Sequence, residues 1–388
     1  TQRGRIEAAL AGIRLNTDAI DNSAGVNTSD VEVNIKIAMS RPLRAGQIAI
    51  EARNTLLAEM TDEVARLVLR TNYQQTLALS LAQRRGLEDL GFQQRLMQTL
   101  EQRGELDRAV EFLPDEMAIA ERRKRGQALT RPELAVLLAY AKLSLFKELL
   151  ASAVPDDPYL GHELERYFPK EMGERYDEAL HHHRLRREII ATQLTNSMIN
   201  RGGATLIVRI ADQTGATADA IAAAFAAVRN SYDLIDLNSE IDALDNRIPG
   251  ETQLSLYAAV QNLLLDRLVW FLRHVDLRQG LETIIAHYHE GITQVSAALD
   301  TALSKPAADA RAARQAGLAQ AGVPEALARR IASLGVLKAA PDIVLVADQS
   351  RKPVAEVTAT YFANEDFFQL DRVVGAVPGI VVADYFDR

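Results

Sequence analysis

Leu206-Ile207-Val208-Arg209-Ile210-Ala211-Asp212-Gln213 and Asp342-Ile343-Val344-Leu345-Val346-Ala347-Asp348-Gln349 are two versions of one segment, at a constant offset of 136 (206 to 342). Taken alone, Ile343 to Val346 is β-prone, because β-branched residues suit a pleated strand. Its partner, however, is embedded in Ala-rich sequence of high helix propensity. The correspondence continues with Ile221 on Val357, Phe225 on Tyr361, Ala227 on Ala363, Tyr232 on Phe368 and Leu234 on Leu370. Both copies therefore read as an apolar helix, a polar turn (Thr214-Gly215 or Ser350-Arg351) and a second apolar helix, an αα-hairpin used twice. A period this long excludes solenoids built from repeats of about 20–50 residues. A helix-turn-helix invites a DNA-binding reading, but neither second helix presents a basic recognition face. A structural hairpin is expected.

Helix extends outward from these hairpins. No proline falls between Pro42 and Pro114 or between Pro169 and Pro249, and Ala, Leu, Arg, Glu and Gln fill the gaps. Apolar residues recur there at helical spacing, as in Leu56, Met60, Val64, Leu67 and Val68. Thr130-Arg131-Pro132-Glu133 places a Thr cap three residues before a Glu, with Pro in the permissive first turn. The apolar stripe Leu134, Leu137, Leu138, Ala141 and Leu145 follows. Nearly everything from Pro42 onward reads as helix. The first forty residues differ. Gly12 to Ile20 is expected to be a short strand after a helix, the αβ step of a doubly wound domain. Asp21 to Ser29, rich in Asn, Ser, Gly and Thr, is expected to be a turn beyond its carboxyl end.

Composition limits the chemistry. The 388 residues carry 44 Lys+Arg against 52 Asp+Glu, a net charge of −8, which argues against a constitutive nucleic-acid binder. There is no cysteine, so disulfides, thiolate nucleophiles, zinc fingers and iron–sulfur clusters are excluded, and a reducing cytoplasmic setting fits. Apolar runs such as Ala220 to Val228 fall short of the about 20 residues a membrane span needs. No basic-then-apolar leader opens the chain. Thr1-Gln2-Arg3-Gly4-Arg5 has no initiator Met and runs into what reads as the end of a helix, so a piece of a longer chain is expected.

Asp21 to Ser29 is the most informative segment for function. Ligands of open parallel sheets bind beyond the carboxyl ends of strands. Small residues there let backbone approach a ligand, while Asn22 and Ser29 can donate to a carboxamide or carboxylate. The alternative is an ordinary polar turn with Asx bonds. Lys36, the lysine nearest this turn, is expected to be solvated or ion-paired rather than catalytic. His181-His182-His183 and His287-Tyr288-His289 splay around a helix, whereas ligands on a helix prefer i, i+3 or i+4 spacing, so exposed faces and no metal site are expected. Glu121 to Gly126 is expected to be a solvated loop or an ion-pair face rather than a phosphate site. Leu268, Trp270 and Phe271 read as core. No Gly-x-Gly occurs, hence neither a dinucleotide fingerprint nor a P-loop, and no catalytic residue is assigned.

Several segments in order carry a family resemblance: Asn16 to Asp30, Glu32 to Ile37, Leu56 to Val64, Leu129 to Tyr140, Leu185 to Thr192 and Asn196 to Gly202. Together the chain resembles the very large, NAD-specific glutamate dehydrogenases of bacteria, across essentially its whole length and more weakly after about residue 290. The resemblance implies a C-terminal portion of such an enzyme, oxidatively deaminating L-glutamate to 2-oxoglutarate and ammonium with NAD as cofactor. In related smaller dehydrogenases a turn of Asn-Ala-Gly-Gly-Val type closes the cleft. Its Asn contacts the nicotinamide end of the cofactor, and a Ser seven residues later holds the substrate α-carboxylate. Asn22, Gly25 and Ser29 stand at the matching positions, with Ser23 and Ala24 in place of the Ala-Gly pair. The catalytic lysine, the acid and the glycine-rich loop would then lie upstream of Thr1.

The expected architecture is mainly α. Residues 1–75 form a short α/β remnant of a Rossmann-type dehydrogenase core, and residues 76–388 a large helical domain with the duplicated hairpin. A cytoplasmic homo-oligomer that engages neither nucleic acid nor membrane is implied, inactive as this piece alone, with the helical domain making subunit contacts or restraining cleft opening. The competing readings are a freestanding helical scaffold without catalysis and, less in keeping with the charge, a nucleic-acid-binding regulator.

Overall fold

The computed structural model describes residues 1–376, and every regular element among them is helical. Residues 377–388 of the expected helical domain lie outside the described residues. The chain divides into two compact units: Thr1–Ala226 with Leu268–Leu281, and Ala227–Arg267 with the residues from 282 onward.

In the first unit the helices Thr61–Arg85, Arg131–Ala151 and Arg186–Gly202 pack on one another. The stripe Leu134, Leu137, Leu138, Ala141 and Leu145 is buried throughout, facing a helix whose Ile190, Ala191, Leu194, Met198 and Ile199 are fully buried. Helix Arg131–Ala151 starts as its sequence dictates: the Thr130 backbone N–H donates to Glu133 Oε2 at 2.7 Å, and the Thr130 hydroxyl donates to the same oxygen at 2.8 Å. Glu133 is fully buried, and Arg122 meets both its oxygens at 2.8 Å. The basic run Glu121 to Gly126 is thus an ion-pair face, with Arg125 also bridging to Glu121. Leu268, Trp270 and Phe271 are buried as core.

The strand expected over Gly12–Ile20 is not formed. Residues 13–17 have no regular structure, and Asp18–Asp21 is a short helix. An isolated strand leaves its backbone groups unpaired, and no other strand exists among the described residues. Here those groups find other partners. The Ile13 N–H donates to the Ala8 carbonyl at 3.0 Å, and Arg5 donates to the Asn16 carbonyl at 2.9 Å.

Nor is Asp21–Ser29 a turn. Asn22 marks the junction, and Ser23 opens a 22-residue helix, Ser23–Arg44, whose first two turns are this polar segment. Its register is set further along, where Val31, Ile35, Ala38 and Pro42 are buried at i, i+4, i+7 and i+11 spacing. The polar side chains are absorbed without breaking it: Thr28 donates to the Ala24 carbonyl at 2.8 Å. Asn72, from the neighbouring helix Thr61–Arg85, donates at 2.8 Å to both the Ile20 carbonyl and Ser23 Oγ, which pins the junction.

In the second unit Lys305–Gln320 packs on Glu325–Leu337, and Ala340–Ser350 on Val354–Phe368. The β-prone Ile343 to Val346 lies inside helix Ala340–Ser350. Asp300, on helix Leu281–Ala302, is bridged by Arg311 and Arg329 from the two helices that follow. The segments related by the offset of 136 share their backbone punctuation. Helices Leu206–Thr214 and Ala340–Ser350 end on left-handed residues, Gly215 (φ 72°) and Arg351 (φ 56°). Left-handed Asp233 (φ 51°) and Gln369 (φ 52°) follow the second helices, Ala218–Ser231 and Val354–Phe368. Among the described residues no helix is long and apolar enough to cross a membrane.

Candidate functional site

Helical periodicity places Asn22, Gly25 and Ser29 on one side of the Ser23–Arg44 helix, because positions three, four and seven apart return to the same face. All three are exposed. Val26 and Val33 share the face and are 65% and 50% exposed. The opposite side carries the buried Val31, Ile35, Ala38 and Pro42, so the helix has one packed and one open face.

The open face is chemically specific. Neither the Asn22 amide nor the Ser29 hydroxyl has a hydrogen-bond partner among the described residues, and the Asn22 side chain makes no capping bond. Gly25 lies between them. A Cβ there would stand 3.3 Å from Asn22 Oδ1, so the missing side chain is what leaves the amide its position. Around Asn22, Gly25 and Ser29 this face offers an amide, a hydroxyl, bare backbone and two valines, donors and shape for a ligand; its amine and carboxylate, Lys36 and Glu32, lie further along and are paired with each other. Lys36 is held by Glu32 one turn away, ion-paired as its sequence setting predicts.

The back of the helix is anchored by groups the sequence does not single out. Asn34 Nδ2 donates to the Tyr167 hydroxyl at 2.8 Å. The Asn34 carbonyl accepts from His183 Nε2 at 3.0 Å, while the Leu185 N–H donates to His183 Nδ1 at 3.0 Å. One ring nitrogen donates and the other accepts, so this imidazole is neutral. Burial lowers its pKa, opposed by the bond to Asn34. His183 therefore departs from the expected exposed triple: it is buried against Phe168, at 5.7 Å between ring centroids. Of its neighbours, His182 Nδ1 lies 2.8 Å from the Glu178 carbonyl, and His181 lies against Asp177. His287 and His289 sit against Asp348 and Asp233 respectively.

The open face belongs to a region matched by the family model "Bacterial NAD-glutamate dehydrogenase, catalytic domain", over residues 1–82. The model "Glutamate dehydrogenase, C-terminal" matches residues 126–388. The chain belongs to the bacterial NAD-specific glutamate dehydrogenase family. Among curated members, an NAD-specific glutamate dehydrogenase of Halomonas elongata is 40% identical over 386 residues, covering 99% of this chain and 24% of that protein. One of Pseudomonas aeruginosa is 42% identical over 363 residues, covering 94% and 22%. One of Mycobacterium tuberculosis is 34% identical over 378 residues, covering 97% and 23%. The chain thus spans about a quarter of the length of these glutamate dehydrogenases.

Proposed function

We propose that this chain supplies one wall of the cofactor and substrate cleft of an NAD-specific glutamate dehydrogenase, followed by a helical domain that shapes the assembly. The observation that carries the reading is the open face of Ser23–Arg44, where an unpartnered amide (Asn22), a glycine (Gly25) and an unpartnered hydroxyl (Ser29) stand together. In this role Asn22 donates to the carboxamide end of NAD, Gly25 keeps the approach free of a Cβ, and Ser29 donates to the α-carboxylate of L-glutamate. NAD, when bound, accepts the hydride as glutamate and water become 2-oxoglutarate and ammonium; the protein's part is to orient and polarise. No proton-transfer role is given to this face, whose Lys36 and Glu32 are paired with each other. The lysine and acid that transfer the substrate proton, and the glycine-rich loop for the pyrophosphate, are assigned to residues preceding Thr1.

Residues 1–75 are read as the closing part of the catalytic core and residues 76–388 as the architectural domain of a cytoplasmic homo-oligomer. The two αα-hairpins are read as one duplicated unit, supported by left-handed residues that recur at the offset of 136. The test is glutamate-dependent NADH production by the isolated chain and by the full-length enzyme. Ser29→Ala in the full enzyme is expected to raise KM for glutamate about tenfold or more, the worth of one hydrogen bond to a charged group, with KM for NAD little changed. Asn22→Ala is expected to do the reverse. Activity in the isolated chain refutes the assignment of the proton-transferring groups and the glycine-rich loop to other residues, whereas unchanged KM values in both variants refute the site and favour a non-catalytic scaffold.

A further inference from the structure

On the first unit, a histidine and two carboxylates converge on the outer side of two packed helices, and a second histidine stands against one of those carboxylates. Helices Gly161–Tyr167 and Lys170–His181 are joined through Phe168 and Pro169 and pack on each other. Leu164, Phe168 and Met172 fix their shared underside in the core. On the outer side, His162 and Glu165 are one turn apart on the first helix, with Nδ1 and Oε2 at 3.2 Å. Asp177 and His181 are one turn apart on the second, with Oδ1 and Nε2 at 3.3 Å. The ligand-type atoms of Glu165, Asp177 and His181 all lie within 4.8 Å of one another. Backbone geometry contributes: Tyr176 leaves helical conformation (φ −135°, ψ 32°), which redirects the segment carrying Asp177 and His181. The Tyr159 ring stands edge-on to His162 at 5.3 Å.

We propose that Glu165, Asp177 and His181 form a binding site for a zinc-class divalent transition metal that staples the two helices, with His162 supporting Glu165 from one turn away. Three observations carry this. Tetrahedral coordination with bonds of about 2.0–2.2 Å separates ligand atoms by about 3.3–3.6 Å; Asp177 and His181 already stand at 3.3 Å, and Glu165 lies within 4.8 Å of both. The donor set, an imidazole and two carboxylates with a fourth position left to water, suits zinc-class ions rather than calcium or magnesium. The local charge pattern singles these acids out. Glu163, Glu171, Glu174 and Glu178 on the same two helices pair with Arg166, Arg175, Lys170 and Arg41, whereas Glu165 and Asp177 face only imidazoles. Arg186 approaches this group past Gly161, but one of its nitrogens donates to the Pro155 carbonyl, and two carboxylates outweigh its single charge.

The probes are Zn²⁺ and Co²⁺ added to the tag-free chain. One equivalent is expected to bind, with the visible absorption of four-coordinate Co²⁺ and a higher unfolding temperature that a chelator reverses. His181→Ala and Glu165→Gln, both at exposed positions, are each expected to weaken binding at least about tenfold, since even outer-shell partners of a metal are worth 10–100-fold. His182→Ala is expected to leave it unchanged. Circular dichroism checks that each variant keeps its helix content, and should one variant unfold the other decides. Failure to bind one saturable equivalent, or binding that survives both ligand substitutions, overturns the site and leaves two His–carboxylate pairs.

Discussion

Gly25→Ala pulls stability and catalysis in opposite directions, which makes it the sharpest probe of the open face. Gly25 is the third residue of helix Ser23–Arg44, is exposed, and carries ordinary helical backbone. Replacing a helical glycine by alanine stabilises by about 0.5–1 kcal/mol, because less backbone entropy is lost on folding. Against this stands one close contact: the new Cβ would lie 3.3 Å from Asn22 Oδ1 and 4.0 Å from its Cγ. The Asn22 side chain is exposed and unbonded, so it turns to another staggered rotamer at a cost of a few tenths of a kcal/mol, below the about 0.5–1.5 kcal/mol of an off-rotamer angle. Net stabilisation survives. The displaced amide, however, no longer presents its donor where the carboxamide of NAD is proposed to sit. Losing that neutral hydrogen bond costs about 1 kcal/mol, roughly fivefold in apparent affinity. Denaturant unfolding of this chain and KM for NAD in the full-length enzyme read the two effects separately. An unchanged KM for NAD, with stability raised, would refute the cofactor assignment of Asn22 and Gly25. A loss of stability instead would mean the segment is not an exposed helix.

Three further substitutions test the packing. Gly291→Ala in the second unit would put a Cβ 2.4 Å from Val344 Cγ2, between helices that cannot yield cheaply. It is expected to destabilise by about 1–3 kcal/mol in denaturant unfolding, with Val344→Ala restoring part of the loss in the double variant. Glu133→Gln removes the partner of Arg122 at a fully buried position, and is expected to cost roughly 3 kcal/mol by the same measurement; a cost under 1 kcal/mol would count against the pair as drawn. His183 sets a pH dependence. Its pKa lies below 6.5 in the folded state because of burial, so the unfolded chain binds the proton first. The stability this contributes is complete above about pH 6.5 and is lost as pH falls through the folded pKa, at no more than about 1.4 kcal/mol per pH unit. His183→Asn should flatten the difference in unfolding free energy between pH 6.5 and 5, whereas an unaltered slope would point to other groups.

The helices were legible where register and capping agree. Thr130 to Glu133 and the stripe through Leu145 read correctly because a Thr–Glu box and an apolar period are local signals. Asp21 to Ser29 misled because composition and register conflict there. Asn, Ser, Gly and Thr favour turns by offering the backbone alternative hydrogen bonds, yet Val31, Ile35, Ala38 and Pro42 demand a helix whose axis extends back through them. Packing outweighed propensity, and Asn22, Gly25 and Ser29 moved from an expected loop to a helix face without losing their proximity. The histidines show the other limit. The helix expected to splay His181, His182 and His183 ends at His181, and where each one points is decided by residues outside that triple: Asn34 takes His183, and the helix carrying Glu165 lies beside His181.

The two segments related by the offset of 136 share a backbone feature that their side chains do not. At the offset of 136 the turn residues are among the least alike, Gly215 against Arg351 and Asp233 against Gln369, yet all four sit at φ between 51° and 72°. Glycine enters that region freely, whereas arginine, glutamine and aspartate do so at a cost of about 1 kcal/mol or more. Such a cost persists only where the surrounding helices dictate the turn. In each hairpin they have the means: Val208 and Val344 are buried in the first helices, Ile221 and Val357 in the second. If the two segments are one duplicated unit, as proposed, the recurring apolar positions specify the turn and the turn residue is left to comply.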